Sequence, residues 1–266
     1  MKLKIWIWGL ALLFSGLAFS HPGIHEQVDS LNERIKQKPS YQLYAQRAHL
    51  YFEGGQLDLS LKDLDTAAKI GPKEPLLFEY GNIYLVKGDH SKALKYLNQF
   101  IKFNPQLAEA YVARAKAYQK LDRYSESIQD LKQSLKLHPS PHPGLYIEAA
   151  NLIYANQKNQ LESALNLLDE GIQRIGVQGQ LQERAIELLI ENKQDNLAID
   201  RMKLLGNERK KNVFWRYDLA QLFIKTGRTA EARTELKRAI SETKGMESAA
   251  VAELRNKINQ QLSKLQ

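Results

Sequence analysis

Four prolines recur along the first half of the chain at an almost constant interval. Pro39, Pro72, Pro105 and Pro139 are separated by 33, 33 and 34 residues. A period of this length is typical of repeat proteins, in which each unit is one supersecondary structure that buries its apolar face against the next. The sequence therefore predicts a stacked array of units rather than one closed core.

Each period carries the same order of side-chain types. A large residue is followed four positions later by a small one and then by a tyrosine, and a turn residue, a small residue and a leucine complete the set. The units are Tyr44, Ala48, Tyr51, Gly55, Ser60 and Leu64; Leu77, Gly81, Tyr84, Gly88, Ala93 and Leu97; and Tyr111, Ala115, Tyr118, Asp122, Ser127 and Leu131. Two apolar stripes with a turn between them predict two amphipathic helices per unit.

This order of residues resembles the tetratricopeptide repeat (TPR), whose large-small-aromatic-small-large-proline pattern it follows over residues 41–141. The resemblance implies an all-α fold, in which antiparallel helix pairs form a right-handed superhelical solenoid. Residues 142–245 continue the repeat pattern in the same register, although fewer positions match it, and predict three divergent units. Residues 21–40 predict a tail and an N-terminal capping helix, and residues 246–266 predict the polar-backed helix that closes an open stack. The proline-rich turn at 138–144 is a candidate for a change of superhelix direction.

Residues 1–20 differ in kind from the rest and are typical of a secretory signal peptide. Lys2 and Lys4 precede an uncharged, mostly apolar run from Ile5 to Phe19, and Ala18 and Ser20 are placed as the small pair of a cleavage site. The run is shorter than the ~20 residues that a membrane-spanning helix needs. The sequence therefore predicts an exported protein, in the periplasm first of all. Secretion from the cell or an uncleaved anchor remain alternatives.

Composition restricts the partners of the chain. It has no cysteine, which excludes disulfides, thiol nucleophiles and cysteine-ligated metals. The net charge of +8 falls to +6 once Lys2 and Lys4 are removed, which permits an acidic partner or peripheral contact with anionic lipid but does not argue for nucleic acid. A weaker candidate surface is the basic group Arg201, Lys203, Arg209, Lys210, Lys211 and Arg216.

The usual motifs of enzymes do not occur. The chain has no Gly-rich phosphate loop ending in Gly-Lys-Ser/Thr, no His-Glu-x-x-His and no Gly-x-Ser-x-Gly. Its acidic pairs lie on helices that also carry Lys or Arg, where solvated charge is the default explanation. We therefore predict a non-catalytic protein with no cofactor, and an enzyme with an unrecognised site is the remaining alternative.

In the TPR family the first helix of each pair lines the concave surface. The resemblance therefore implies a groove for a peptide or protein partner, formed by first-helix residues that lie between the packing positions. The predicted groove consists of His49, Phe52, Phe78, Asn82, Leu85, Val86, Val112 and Lys116, with Glu109 at its edge. The alternative is that Phe52 and Phe78 pack against neighbouring helices instead.

One subclass of the family grips a C-terminal carboxylate with a Lys/Asn/Arg clamp. The corresponding places here hold Ala45 and His49 in the first unit, and Glu109 and Ala113 in the third. Because Glu109 would repel a carboxylate, the resemblance does not extend to that ligand.

A second functional hypothesis concerns metal binding at the mature N-terminus. Cleavage after Ser20 would place the α-amine of His21 beside its own imidazole, a pairing that can chelate a copper-type ion. His25 lies four residues further on and could add a third nitrogen. The alternative is a frayed, solvated tail.

Overall fold

The computed structural model describes residues 22–156, 160–176, 179–205 and 212–265, and within these ranges all regular structure is helical. The predicted all-α fold class is therefore confirmed, with consecutive helices packed in pairs. The predicted signal peptide and His21 lie outside the described residues. None of the described helices is both long enough and apolar enough to cross a membrane.

The chain divides into two compact units, the first ending at Arg123 and the second beginning at Tyr124. This boundary falls between the two helices of the third predicted repeat. The sequence suggested a change of superhelix direction further along, at the proline-rich turn. The first unit contains α1 (Pro22–Gln37), α2 (Tyr41–Glu53), α3 (Leu57–Ile70), a 3-10 turn (Glu74–Leu76), α4 (Leu77–Val86), α5 (His90–Phe103) and α6 (Ala108–Gln119). The second contains α7 (Tyr124–Leu137), α8 (Pro143–Asn156), α9 (Leu161–Ile175), α10 (Gly179–Glu191), α11 (Asp195–Leu204), α12 (Val213–Lys225), α13 (Thr229–Glu242) and α14 (Ala249–Lys264).

The turns inside several of the described helix pairs have a recurring hydrogen-bonded form. Between α4 and α5, Gly88 has φ 79°, and the backbone N–H of Asp89 donates to the carbonyl of Tyr84 at 3.0 Å. A left-handed residue with this bond ends a helix and reverses the chain, which is why glycine is favoured there. The equivalent left-handed residues of other pairs are Gly55, Lys193 and Gly227, and Asp122 takes the same conformation after α6.

The two helices of a pair are held by a leucine packed over a small residue. Ala48 and Leu64 are fully buried in one apolar cluster between α2 and α3. In the next pair, a Cβ on Gly81 would lie only 2.6 Å from Cγ of Leu97, so the leucine occupies the space that any larger residue would need. The small positions of the repeat pattern are therefore set by this close approach.

The proline-rich turn at residues 138–143 is tied to the second unit by an arginine. The guanidinium of Arg174 on α9 donates to the carbonyl of Leu135, near the end of α7, and to that of His138 at 2.5 Å. These carbonyls have no partner within their own helix, so a cation is favourable at this end. Arg174 therefore fixes the direction of the chain after the end of α7.

The last helix covers the apolar end of the second unit. Val251, Leu254 and Ile258 of α14 are buried, and the last two share a cluster with Ala220 and Leu236. No large apolar side chain of α14 is among the exposed ones in the described part of the chain. The helix therefore buries one apolar stripe and presents polar residues on its other faces.

Replacing Gly88 tests whether the turn conformation limits stability. Nothing lies within 4 Å of a Cβ built on this glycine, so Gly88→Ala adds no clash and strains only the left-handed backbone. We expect a loss of about 1 kcal/mol in the free energy of unfolding. Gly88→Asn should recover part of this loss, because asparagine tolerates that conformation. Urea denaturation measures both variants, and an alanine variant as stable as the wild type would contradict the assignment.

Candidate functional site

A cleft opens in the first unit where α1 and α2 diverge. Its volume is about 740 Å³, and Glu79 of α4 forms its far side. The side chains around it are mainly polar, with Leu31, Ala45 and Leu50 at its base. The lining residues are Glu26, Gln27, Ser30, Leu31, Arg34, Ala45, Gln46, His49, Leu50 and Glu79.

His49 stands between two carboxylates at this cleft. Its Nε2 lies 3.4 Å from Oε1 of Glu53, one turn further along α2, and its Nδ1 lies 3.5 Å from Oε1 of Glu79. The Glu79 side chain is 32% exposed, and burial raises its pKa while the nearby His49 partly offsets that effect. The cleft therefore contains a carboxylate whose charge is poorly hydrated and only weakly compensated.

The wall formed by α1 is held in place by Arg47 of α2. The guanidinium donates two hydrogen bonds to the buried carboxylate of Asp63 on α3, at 2.6 and 2.8 Å, and a third to Oδ1 of Asn32 on α1 at 2.6 Å. It also lies over the rings of Tyr44 and Tyr51, at 5.6 and 5.7 Å from their centroids. A planar, five-donor group suits such a junction of three helices.

Only His49 among the predicted groove residues lines the cleft. Phe52 packs partly buried against the α2–α3–α4 cluster, and Phe78 and Leu85 pack against the cluster formed by α5 and α6. The ring of Phe78 lies 5.2 Å from that of Phe100, centroid to centroid. The packing alternative for Phe52 and Phe78 therefore holds in part, because each is half-buried by its neighbours.

The remaining predicted residues are accessible to different degrees. Val86 is 64% exposed at the end of α4, Lys116 is exposed on α6, and Asn82 and Val112 are half-buried. The predicted apolar strip is thus interrupted, with Val86 as its most exposed member.

Residues of α1 were missed by the sequence reasoning, which treated this helix only as a cap. Glu26, Ser30 and Arg34 recur at four-residue intervals, so they share one polar stripe of α1. That stripe was visible in the sequence, but its position opposite α2 was not. Glu79, which follows Phe78, was missed because nothing in the sequence distinguishes it from the other glutamates on these helices.

The N-terminal metal hypothesis gains no support from the structure. His25 is exposed on α1, and His21 lies outside the described residues. Nowhere in the described ranges do three histidine or carboxylate side chains converge as metal ligands would.

The basic group in the second unit is largely neutralised where it is described. Arg201 makes a bidentate pair with Asp169 at 2.7 and 2.6 Å, and Arg216 binds Glu235 at 2.8 Å and Glu242 at 2.7 Å. Lys203 lies 3.6 Å from a glutamate, and residues 209–211 lie outside the described ranges. These three cations therefore pair with carboxylates of neighbouring helices within the unit, and the basic surface stays a prediction.

The second unit has a cleft of about 430 Å³ between α11, α12 and α13. Trp215, Leu219 and Phe223 form its apolar floor, and the ion pairs of Arg216 lie at its rim. Because these rim charges already have partners, a charged ligand would have to displace them.

Three stretches of the chain match sequence profiles of the tetratricopeptide repeat. They cover residues 45–108, 108–141 and 216–244. Two of them fall in the region of the regular repeats, and the third covers the last predicted pair.

The similar proteins extend the comparison to the fold. Protein SGT1 homolog of Oryza sativa subsp. japonica is 32% identical over 82 residues, which are 31% of this chain and only 22% of that protein. The solved C-terminal part of a TPR repeat-containing protein from Cytophaga hutchinsonii has a TM-score of 0.67 and 15% identity, over 87% of this chain and 94% of that one. A tetratricopeptide repeat protein from Parabacteroides merdae has a TM-score of 0.51 and 17% identity, over 88% and 91% of the two chains. At these identities the two structures show the fold alone.

Removing the arginine that joins three helices should be costly. Arg47→Met keeps much of the side-chain volume but leaves the carboxylate of Asp63 buried without its partner. We expect a loss of about 3 kcal/mol in the free energy of unfolding. The double variant Arg47→Met/Asp63→Leu should recover a substantial part of it, because no buried charge is then left unpaired. Denaturant unfolding of the wild type, Arg47→Met, Asp63→Leu and the double variant gives the coupling, and an Arg47→Met protein within about 1 kcal/mol of the wild type would contradict the expectation.

The pH dependence of stability tests the environment of Glu79. A carboxyl group with a raised folded-state pKa stabilises the protein most below its unfolded-state pKa, and this contribution is lost as pH rises through the folded-state pKa. Glu79→Gln removes the titration, so its stability relative to the wild type should increase between about pH 4 and pH 7. The exposed Glu247 provides the control substitution Glu247→Gln, which removes one carboxylate from the chain in the same way. A flat difference for Glu79→Gln would show that burial does not affect the group.

Proposed function

Since the chain carries tetratricopeptide repeats, we propose that it is a non-catalytic scaffold of the cell envelope that binds a segment of a protein partner. Proteins with this fold typically bind protein or peptide partners. The observation that carries the proposal is the cleft between α1 and α2, which opens beside the first helices of the repeats. A preformed cleft on rigid helices favours binding because the protein loses little conformational freedom on association.

The charges at the cleft favour a basic side chain in the bound segment. Glu53 and Glu79 lie beside His49, Glu26 is a further acidic residue of the lining, and Arg34 is the one arginine or lysine among the residues that line the described cleft. A lysine or arginine of the partner placed near Glu79 would meet a carboxylate that is partly shielded from water, where the attraction is stronger than at an open surface.

Apolar contact would come from the adjacent surface of α4. Val86 is the most exposed large apolar side chain of this helix, and Asn82 lies one turn before it on the same face. An apolar residue of the bound segment would pack on Val86 while the amide of Asn82 binds its backbone. Phe78 contributes less, because its ring is already packed on Phe100.

The cellular location that we propose rests on residues 1–20. The two lysines, the apolar run and the small residues before His21 together form the pattern of a cleaved export signal. In the periplasm, a repeat protein without cysteine needs no disulfide to fold, because its stability comes from packing between adjacent units.

Capture of partners from envelope extracts tests the proposed cleft. We expect the variants Glu79→Gln and Asn82→Ala to weaken capture by the mature protein roughly tenfold, which corresponds to about 1.4 kcal/mol. Circular dichroism should show unchanged helicity, because neither side chain is fully buried. The matched control Glu247→Gln should capture as well as the wild type. Equal capture by all four proteins would overturn the assignment of the cleft.

Phe78→Ala is a less clean test than these two variants. It removes the contact with Phe100, so a lower melting temperature is expected together with any loss of capture.

Mass spectrometry of the protein from an envelope fraction tests the proposed export. The expected mature chain begins at His21 and lacks Lys2 and Lys4. A chain that retains Met1 and is found with the cytosolic fraction would contradict this part of the proposal without affecting the cleft.

A further inference from the structure

The outer faces of α3 and α5 are copies of one another, one repeat apart. Lys62, Lys69 and Ile70 of α3 correspond to Lys95, Lys102 and Phe103 of α5, each 33 residues further on. On each helix, the two lysines and the apolar residue lie within about a 100° sector. We call these six residues the outer basic surface.

Each outer face lies opposite the face that its helix buries in the first unit. The opposite face of α3 buries Leu64 and Ala67, and that of α5 buries Ala93 and Leu97. Tyr96 of α5 packs against the cluster that contains Leu64 and Ala67, so the two helices are neighbours across one core. The lysines of both helices therefore lie on the side away from the buried faces.

The lysines of this surface lack acidic partners. No carboxylate oxygen of the described residues lies within ion-pair distance of Lys62, Lys69, Lys95 or Lys102. The nearby acids are otherwise engaged: Asp58 binds Lys87 at 2.6 Å, Asp65 accepts a hydrogen bond from Tyr80 at 2.6 Å, and Asp89 binds Lys92 at 2.8 Å. Each of the four lysines therefore lacks an ion pair of its own, while Asp65, four residues before Lys69, keeps its negative charge because the phenol of Tyr80 is neutral.

Exposed apolar side chains stand at one end of this cationic surface. Ile70 is 54% exposed and Phe103 is 61% exposed, and each directly follows a lysine at the end of its helix. Large apolar side chains left in water beside unpaired lysines indicate a contact surface that combines insertion with charge attraction.

We propose that the outer basic surface docks the protein on an anionic phospholipid bilayer. Phosphate headgroups complement the four lysines, whose aliphatic stems can lie along the interface, and Ile70 and Phe103 reach into the acyl boundary. A bilayer is favoured over an acidic protein because Ile70 and Phe103 are exposed beside the lysines, so insertion of apolar side chains adds to the charge attraction. Neither the cleft of the first unit nor that of the second unit described above is lined by any of its six members.

Co-sedimentation with lipid vesicles tests this proposal. The probe is the chain from His21 onward, because the apolar run Ile5–Phe19 would bind lipid by itself. Vesicles of phosphatidylcholine mixed with phosphatidylglycerol should bind it, and vesicles of phosphatidylcholine alone should not. Binding should weaken as salt is raised, since screening reduces the attraction. Lys69→Glu/Lys102→Glu should lower the partition coefficient by roughly tenfold or more, and Phe103→Ser should lower it by several-fold.

The matched control reverses two exposed lysines of the second unit, Lys237→Glu/Lys264→Glu, and so changes the net charge equally. It should bind mixed vesicles more tightly than Lys69→Glu/Lys102→Glu does. Equal losses in the two double variants would mean that total charge alone governs binding, and would overturn the assigned surface. Failure of the wild type to bind mixed vesicles would overturn the proposal itself. Binding to soluble polyglutamate with no binding to vesicles would identify an acidic protein partner instead.

Discussion

The structure depends on one packing contact that is repeated along the chain. A leucine of the second helix in a pair lies over a small residue of the first. Leu64 and Ala48 share one buried cluster, and Leu97 packs on Gly81 in the next pair. The close approach leaves an apolar stripe that only a further helix can cover. The period of the sequence, the left-handed turn residues and the helix that closes the chain all follow from this requirement.

Arginines occupy several junctions between the helices and remove charge from the surface. Arg47 joins α1, α2 and α3 through Asn32 and Asp63, and Arg201 and Arg216 do the same for helices of the second unit. A guanidinium already bound by a carboxylate offers little to a partner. Unpaired charge is therefore a better guide to binding than charge density. In the first unit, the outer face of α3 and α5 carries four lysines of this kind.

The two surfaces proposed for the first unit involve different helices and different chemistry. The cleft is lined by α1, α2 and Glu79 of α4 and is mainly polar, with two carboxylates and one arginine, whereas the outer basic surface belongs to α3 and α5. No residue is shared between them, so occupation of one does not require the other to be free. As proposed, a membrane-docked protein could still receive a segment with a basic side chain in the cleft.

The sequence by itself determined the helices, their pairing and the positions that pack, because a 33-residue period with two apolar stripes is compatible with few other folds. It also located His49, Asn82 and Val86 on helices that form accessible surface. Only the tertiary structure decided that the ring of Phe78 is half-buried and packs on Phe100, and that α1 supplies one wall of a cleft. Periodicity records which side of a helix is apolar, but exposure depends on which neighbour lies across from it, and that neighbour is distant in the chain.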